Sequence, residues 1–357
     1  MFKFFRSLGS APGREAGRDT SPAGLDPQVL LLPNAIAISG LPEFMLSTHL
    51  SHHNGFPFLD WAAAQAWVDG IGDPTVQATA WARCERAWLE HLQASLGPAY
   101  QLREELREEG GAVLLSTLEP NVARAMLDYM GKTLQRVVRL LDGVAQVPEW
   151  GRDILIVFDD EDTYYRYVSH YYPEAGEFAG SSGMYIHAGC GHFVTAKADM
   201  RVVEPVIAHE LTHSCLSHLP IPAWLNEGLA VNTEHRLSPP GPGLLTPRQM
   251  HDKHLQFWGD AEIQEFWSGK SFLRNDDGNM LSYDLARIVV AQLSGDWERF
   301  RSFVLAANLA DAGAAAAAEH MGMELGAVVC ALLEKEADPA WTPNPGAWHG
   351  VPEQGAF

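Results

Sequence analysis

The stretch His209-Glu210-Leu211-Thr212-His213 (HELTH) carries the strongest chemical signal in this chain of 357 residues. Residues four apart lie on one face of an α-helix, so the imidazoles of His209 and His213 can reach a single Zn²⁺. Glu210 cannot join them on the metal. It points beside the site, where a carboxylate can take a proton from water activated by zinc. The stretch therefore predicts a helix that carries two metal ligands and a general base.

A third ligand is expected further along the chain, because a catalytic zinc uses three protein ligands and leaves one position for water. Residues 222–230 (PAWLNEGLA) place Glu227 on a second predicted helix, with thirteen residues between His213 and Glu227. The short turn at 217–221 allows this helix to fold back against the first. His218 is the alternative third ligand, from the spacing HExxHxxxxH.

Two further polar residues of the second helix are candidates for supporting the ligands. Glu234 lies seven residues after Glu227, on the same helical face, and can orient a ligating histidine through its second ring nitrogen. The alternative is a solvated acid at the helix end. Asn226, which precedes Glu227, is the other candidate for this supporting role.

The two motifs together, HExxH followed by NExxA on a second helix, resemble the gluzincin clan of metallopeptidases. WLNEGLA is similar to the equivalent helix of the aminopeptidase-N family, and the order of elements over 111–235 is similar to the stand-alone bacterial peptidase MA-like domain. The resemblance implies that His209, His213 and Glu227 bind one Zn²⁺ per chain and that Glu210 is the general base. A GxMEN-type stretch, which binds the free amino terminus of aminopeptidase substrates, is missing from the sequence.

A group that stabilises the oxyanion is also expected. The gluzincin pattern places a tyrosine downstream on a later helix, and Tyr283 in LSYDLA matches that position; a core tyrosine is the alternative. His251 and His254 compete for the same role.

A hairpin is predicted over 182–196, around Gly189-Cys190-Gly191. Zincins bind extended substrate along an edge strand, so residues 183–185 are candidates for a substrate groove, with ordinary sheet residues as the alternative. His187 and His192 lie on either side of the turn and are candidates for a second metal site.

The fold class expected from these elements is α+β: a zincin-like catalytic domain with a mixed sheet packed on the active-site helix, flanked by helical segments. The predicted organisation is a disordered leader over 1–27, a helical segment over 28–110, the catalytic core over 111–235, a helical C-terminal subdomain that completes the cleft over 236–338, and a flexible tail over 339–357.

Charge and composition restrict the classes of binding partner that are expected. The chain has 25 Lys and Arg against 45 Asp and Glu, a net charge of −20, which argues against nucleic acid and anionic membrane surfaces. Its four cysteines form no CxxC pair, so a thiolate zinc site is not expected. Neither a signal peptide nor a membrane-spanning stretch is recognised, and a cytoplasmic location is expected.

These observations predict a zinc-dependent metallopeptidase that acts on peptides or proteins. Two other functions remain open from the sequence. One is a catalytically silent zincin-fold protein with a binding or regulatory role, and the other is a zinc amidohydrolase of non-peptide substrates.

Overall fold

The computed structural model describes residues 32–106, 111–148, 151–171, 183–186, 188–198, 200–238 and 245–348. The predicted leader over 1–27 lies outside these ranges, as do residues 349–357 of the predicted tail. The described part is a mixed α and β structure, in which a five-stranded sheet has helices packed on both faces.

The segment over 28–110 was predicted to be helical, and this prediction is wrong in part because the segment also contains five strands. Two of them form the small pair β1–β2, two form the hairpin β3–β4, and the fifth joins the main sheet. The elements are β1 (Ala35–Ile36), β2 (Phe44–Met45), α1 (Leu46–His49), β3 (Leu50–His53), β4 (Phe56–Leu59), α2 (Trp61–Asp69), α3 (Pro74–Leu96) and β5 (Gln101–Leu106).

The β3–β4 hairpin is an antiparallel pair with a two-residue turn. Asn54 and Gly55 connect its strands, with φ values of 52° and 85°. Positive φ at both central positions is the geometry of the two-residue turn that matches the twist of a hairpin, and Asn-Gly is its preferred sequence. The turn therefore pairs His53 with Phe56, and both His52 and His53 are strand residues.

The main sheet has the strand order β5-β6-β7-β9-β8. Strands β6, β7 and β9 are parallel to one another, whereas β5 and β8 pair antiparallel with their neighbours, so the sheet is mixed as predicted. The predicted hairpin around Gly189 is confirmed as β8–β9. The further elements of this region are β6 (Gly111–Ser116), α4 (Pro120–Leu140), β7 (Asp153–Phe158), α5 (Glu161–Val168), β8 (Gly183–Ile186) and β9 (His192–Ala196).

Both faces of the sheet are buried, as expected for parallel strands that helices cover on each side. Along β7, Leu155 and Val157 pack into the core that contains α4 and the C-terminal helices. Ile154 and Ile156 pack into a second core with α2 and α3. The N-terminal elements therefore cover one face of the same sheet, and the predicted boundary between residues 110 and 111 separates two paired strands, β5 and β6.

The C-terminal half is helical in its described residues. The helix that carries HELTH begins at Met200, and Pro205 lies inside it. A proline here removes only the hydrogen bond to the carbonyl of Arg201, close to the helix start. The helices are α6 (Met200–Leu216), α7 (Ala223–Leu237), α8 (Pro247–Phe257), α9 (Asp260–Ser268), α10 (Asp277–Leu293), α11 (Trp297–Ala306), α12 (Ala314–Ala316) and α13 (Leu325–Leu332).

The tail predicted to be flexible from residue 339 is packed as far as residue 348. Trp341 is 3% exposed and belongs to the larger core. The Trp267 indole donates to the Trp341 carbonyl at 2.8 Å, and the Lys335 ammonium lies 4.4 Å from the centre of the Trp341 ring. Burial of a large aromatic side chain explains why this segment is held.

None of the described helices is individually long and apolar enough to cross a membrane. The segments Ala314–Met321 and Leu325–Leu332 meet the length and hydropathy criteria only when taken together, and they are bent by 85°.

A buried ion pair connects α3 to the start of β7. The Glu85 carboxylate is 1% exposed and accepts from the Arg152 Nε at 2.9 Å and from the Arg152 backbone N–H at 3.3 Å. Arg152 also reaches Glu104 on β5 at 3.1 Å. Burial raises the pKa of Glu85, while the Arg152 charge and hydrogen bonds oppose that rise.

Substitution Glu85→Gln is expected to destabilise the fold by about 3 kcal/mol, because it leaves a buried guanidinium short of its partner. The measurement is urea denaturation at pH 7. The matched control is Glu90→Gln on the same helix, where the carboxylate pairs with Arg86 at the surface and its loss is expected to cost less than about 1 kcal/mol. Equal losses for the two variants would contradict the structural role of the buried pair.

Candidate metal centre

The three predicted ligands lie together between α6 and α7. Helix α7 begins after a short turn and packs against α6, which brings Glu227 to the histidines. One ligand atom each from His209, His213 and Glu227 lies within 4.8 Å of the other two. A Glu227 carboxylate oxygen is 3.2 Å from the His209 Nε2 and 3.5 Å from the His213 Nε2. Two nitrogens and one oxygen therefore converge on one point.

The other ring nitrogen of each histidine has its own acceptor on α7. His209 Nδ1 lies 3.2 Å from Glu234, whose side chain is only 12% exposed. His213 Nδ1 lies 3.1 Å from the Asn226 side-chain oxygen. Both residues predicted as supports are therefore in contact with the histidines, and Glu234 is not the solvated helix-end acid of the alternative reading.

These contacts determine where the protons can be. A carboxylate only accepts hydrogen bonds, so His209 Nδ1 must donate to Glu234, and His213 Nδ1 donates to the Asn226 oxygen. A neutral imidazole then has a lone pair at Nε2, which would face the lone pairs of Glu227. The repulsion between these lone pairs is relieved either by extra protons on the two rings or by a cation at the point of convergence.

Without a cation, protons supply this balance. Burial by itself lowers the pKa of His209, but hydrogen bonds with Glu227 and Glu234 raise it well above its usual range. The charge of Glu227 likewise raises the pKa of His213 against the effect of burial. Burial raises the pKa of Glu227, but the two histidines outweigh it and the net shift is downward. The centre is therefore built to hold positive charge.

Glu210 lies beside the centre and is 8% exposed. Burial raises the pKa of this carboxyl, and the neighbouring His209 and His213 oppose the rise. A buried carboxylate whose pKa is raised is a stronger base than one in water, which suits the role predicted for Glu210.

Helix α10 crosses α7 at Gly228, and this crossing brings Tyr283 to the centre. A Cβ at Gly228 would lie 2.5 Å from Val290 Cγ2 and 2.6 Å from the Ala286 carbonyl, so only glycine allows this approach. The centroid of the Tyr283 ring is 6.4 Å from that of His209, and Tyr283 also packs edge-on against Phe272. Tyr283 lies in the second turn of α10, which begins at Asp277.

The alternative histidines are placed elsewhere. His218 is exposed beyond the end of α6, and it is not part of the described trio. The partly exposed His251 lies 3.2 Å from Glu334. His254 is buried and accepts from the Trp258 indole through Nδ1 at 2.8 Å, so its Nε2 carries the proton that contacts Asp284 at 3.0 Å. Both nitrogens of His254 are therefore in use.

Two residues near the centre were missed by reasoning from the sequence. Gly228 sets the α7–α10 distance, and a glycine inside a helical pattern is a signal for such a close approach. Asp284 joins His254 and Arg287, which donates to it at 2.7 Å. Its spacing from His254, thirty residues, carries no local signal, so only the packing of α8 on α10 reveals the contact.

The second metal site considered at the hairpin has no support in the described residues. His187 lies outside them. His192 is fully buried and donates from Nδ1 to the Cys190 carbonyl, while Nε2 accepts from the Tyr167 hydroxyl, both at 2.8 Å. Burial lowers the pKa of His192 to about 4. This histidine is therefore a neutral core residue.

Acid is expected to destabilise the protein through His192. The unfolded chain takes up a proton near pH 6.5 while the folded chain resists it until about pH 4, so stability present above pH 6.5 is lost as the pH falls between these values, by about 3 kcal/mol. Urea denaturation at pH 7 and pH 4.5 should show a smaller loss for His192→Gln than for the wild type. His52→Gln, at an exposed strand position, is the control. An unchanged loss in His192→Gln would refute this source of acid sensitivity.

Comparisons with known proteins do not identify a family for this chain. No protein-family model matches the chain, and no curated protein is significantly similar to it.

Proposed function

We propose that the protein is a zinc-dependent metallopeptidase with a zincin-like catalytic domain. The observation that carries the proposal is the convergence of His209 Nε2, His213 Nε2 and a Glu227 oxygen on one point. Two histidines and one carboxylate, with a fourth position left for water, form a ligand set of catalytic zinc sites. The mixed α+β architecture is compatible with this proposal.

The residues fit a divalent cation chemically. Both Nδ1 atoms are occupied by acceptors, which leaves the Nε2 lone pairs directed at the ligand position. A cation there would replace the protons that otherwise separate the imidazoles from Glu227. Nitrogen and oxygen donors without thiolate suit zinc among the common metals, and no cysteine belongs to the trio.

The proposed roles follow from the placement of each side chain. Zinc held by the trio would supply a Lewis acid that polarises the scissile carbonyl and makes water acidic. Glu210, which stands beside the ligands, takes the proton from the attacking water and passes it to the leaving amine. Tyr283 donates a hydrogen bond to the carbonyl oxygen as negative charge develops there.

The unfavourable free energy of burying charged groups at this site argues against a catalytically silent binding protein. Glu210 and Glu227 are both buried, and burying carboxylates is unfavourable unless they are paired. A protein that only used the surface of this fold would gain nothing from such groups. Hydrolysis of non-peptide amides would use the same residues. Assays with peptide and non-peptide substrates distinguish it from peptide hydrolysis.

Metal analysis and proteolysis test the proposal together. Purified protein is expected to contain about one zinc per chain and to cleave an unstructured protein such as casein. Glu210→Gln should retain zinc but lose activity by at least about 100-fold, because it removes the base and leaves the ligands. Glu227→Ala should lose zinc.

Two results would count against this assignment. Zinc bound with no cleavage by the wild type would reject the general peptidase, and unchanged zinc affinity in Glu227→Ala would reject the third ligand. The matched control is Glu262→Ala, a half-buried glutamate in the first turn of α9 that lies outside the trio.

Tyr283→Phe is expected to lower kcat by roughly 100-fold, with a smaller change in KM, because the hydrogen bond to the oxyanion exists mainly in the transition state. The aromatic packing against Phe272 is retained in this variant. Steady-state kinetics on a fluorogenic peptide give the measurement. A change in KM alone would mean that Tyr283 binds substrate without stabilising the oxyanion.

A further inference from the structure

Two exposed histidines from distant segments of the chain lie side by side next to the turn of the β3–β4 hairpin. His53 is the last residue of β3, and His170 lies just beyond the end of α5. Their ring centroids are 5.2 Å apart, with the ring planes tilted by 49°. Neither residue belongs to the candidate metal centre. The proposed hydrolytic reaction therefore does not use this pair of metal-ligating side chains.

The separation of the two rings is that of two ligands on one metal ion. With metal–nitrogen bonds of about 2.0–2.1 Å and tetrahedral angles, two ligating imidazoles have their ring centres about 5 Å apart. The proposed ligands His209 and His213 give a comparison within the same chain, because their ring centroids are 4.8 Å apart. His53 and His170 are therefore close enough to share a cation.

The surrounding contacts hold the two histidines together. The Asn54 side-chain amide donates to the Ser169 hydroxyl at 3.2 Å, which joins the residue after His53 to the residue before His170. The His170 ring also stacks on Phe58, with centroids 3.6 Å apart and planes within 19°. Phe58 is a core residue, so the stacking fixes His170 to the folded body. A cation would therefore meet a pair that is already assembled.

The ring nitrogens of both histidines are available to a ligand. Among the described residues, no group is hydrogen-bonded to a ring nitrogen of either His53 or His170. Burial and the neighbouring His53 lower the pKa of His170. The His170 ring is therefore neutral at pH 7 and carries a lone pair on one nitrogen.

We propose that His53 and His170 bind one late first-row divalent cation, of the class of Ni²⁺, Cu²⁺ and Zn²⁺, through one ring nitrogen each, with water completing the coordination. Imidazole is a ligand that suits all three metals. Two protein ligands hold a metal less tightly than three, so this pair fills only when metal is added. The bound cation would cross-link the β3–β4 hairpin to the end of α5. The inference does not depend on the proposed peptidase activity.

Calorimetric titration with Ni²⁺ tests the pair. The protein is the full chain carrying His209→Gln and His213→Gln, which removes the imidazoles of the candidate metal centre. This variant is expected to bind one Ni²⁺ per chain with a Kd of about 10–100 µM. Adding His53→Gln or His170→Gln should weaken binding at least about tenfold, because one of two protein ligands is lost.

The matched control is His52→Gln in the same background. His52 is an exposed neighbour on the same strand, and successive side chains of a strand point to opposite faces. Its substitution is expected to leave the Ni²⁺ affinity unchanged. No binding to the background variant up to about 1 mM Ni²⁺, or equal weakening by His52→Gln and His53→Gln, would overturn the proposal.

Thermal unfolding gives a second readout. Ni²⁺ should raise the Tm of the background variant, because a ligand that binds only the folded chain stabilises it, and the rise should disappear with His170→Gln. If the background variant does not fold, the wild type is titrated instead. Two Ni²⁺ sites are then expected, with the weaker one lost in His53→Gln, and two unchanged sites in His53→Gln would overturn the proposal. Failure of the wild type to cleave peptides would reject the peptidase and leave these results untouched.

Discussion

The approach of one Glu227 oxygen to two imidazole nitrogens is the constraint on which the rest of the site depends. The Glu227 carboxylate is buried and lies 3.2 and 3.5 Å from these nitrogens. Burying it is energetically acceptable only when positive charge lies between the three groups. Glu234 and Asn226 hold the far nitrogens of the same rings, so neither ring can turn away without losing a hydrogen bond. The preference for a cation follows from this arrangement of acceptors.

The remainder of the fold holds two helices at the required distance. The larger core runs from the sheet through α6 and α7 to the C-terminal helices, so the ligand helices are supported on both sides. Gly228 lets α10 approach α7 closely and brings Tyr283 near His209. The other core, formed by the N-terminal elements, covers the opposite face of the sheet and places the Glu85–Arg152 pair beside a polar cavity of about 340 Å³.

Helix α6 carries the predicted ligands and the proposed general base on two different faces. His209 and His213 contact α7, whereas Glu210 and Ser214 lie one residue further along and are rotated by about 100° towards Tyr185. The general base proposed for the reaction therefore lies beside the ligands and one helical turn from Ser214.

Local geometry made most of the candidate centre predictable from the sequence. The spacing of four residues places His209 and His213 together in any α-helix, and the motif that follows brings in Glu227 and its neighbours through one short turn. The strands β6, β7, β8 and β9 and the helix α4 were also readable from local hydrophobic patterns. Contacts between residues distant in the chain could not be predicted from these local patterns. Residues over 28–110 join the main sheet through β5, Trp341 fixes a segment expected to be flexible, and the cavity combines residues from α3, β7, β8 and α6. Sequence alone thus determined which side chains could share a metal, because helical periodicity is local. Only the tertiary structure decided what surrounds them, because the packing of distant elements depends on shape and burial across the whole chain.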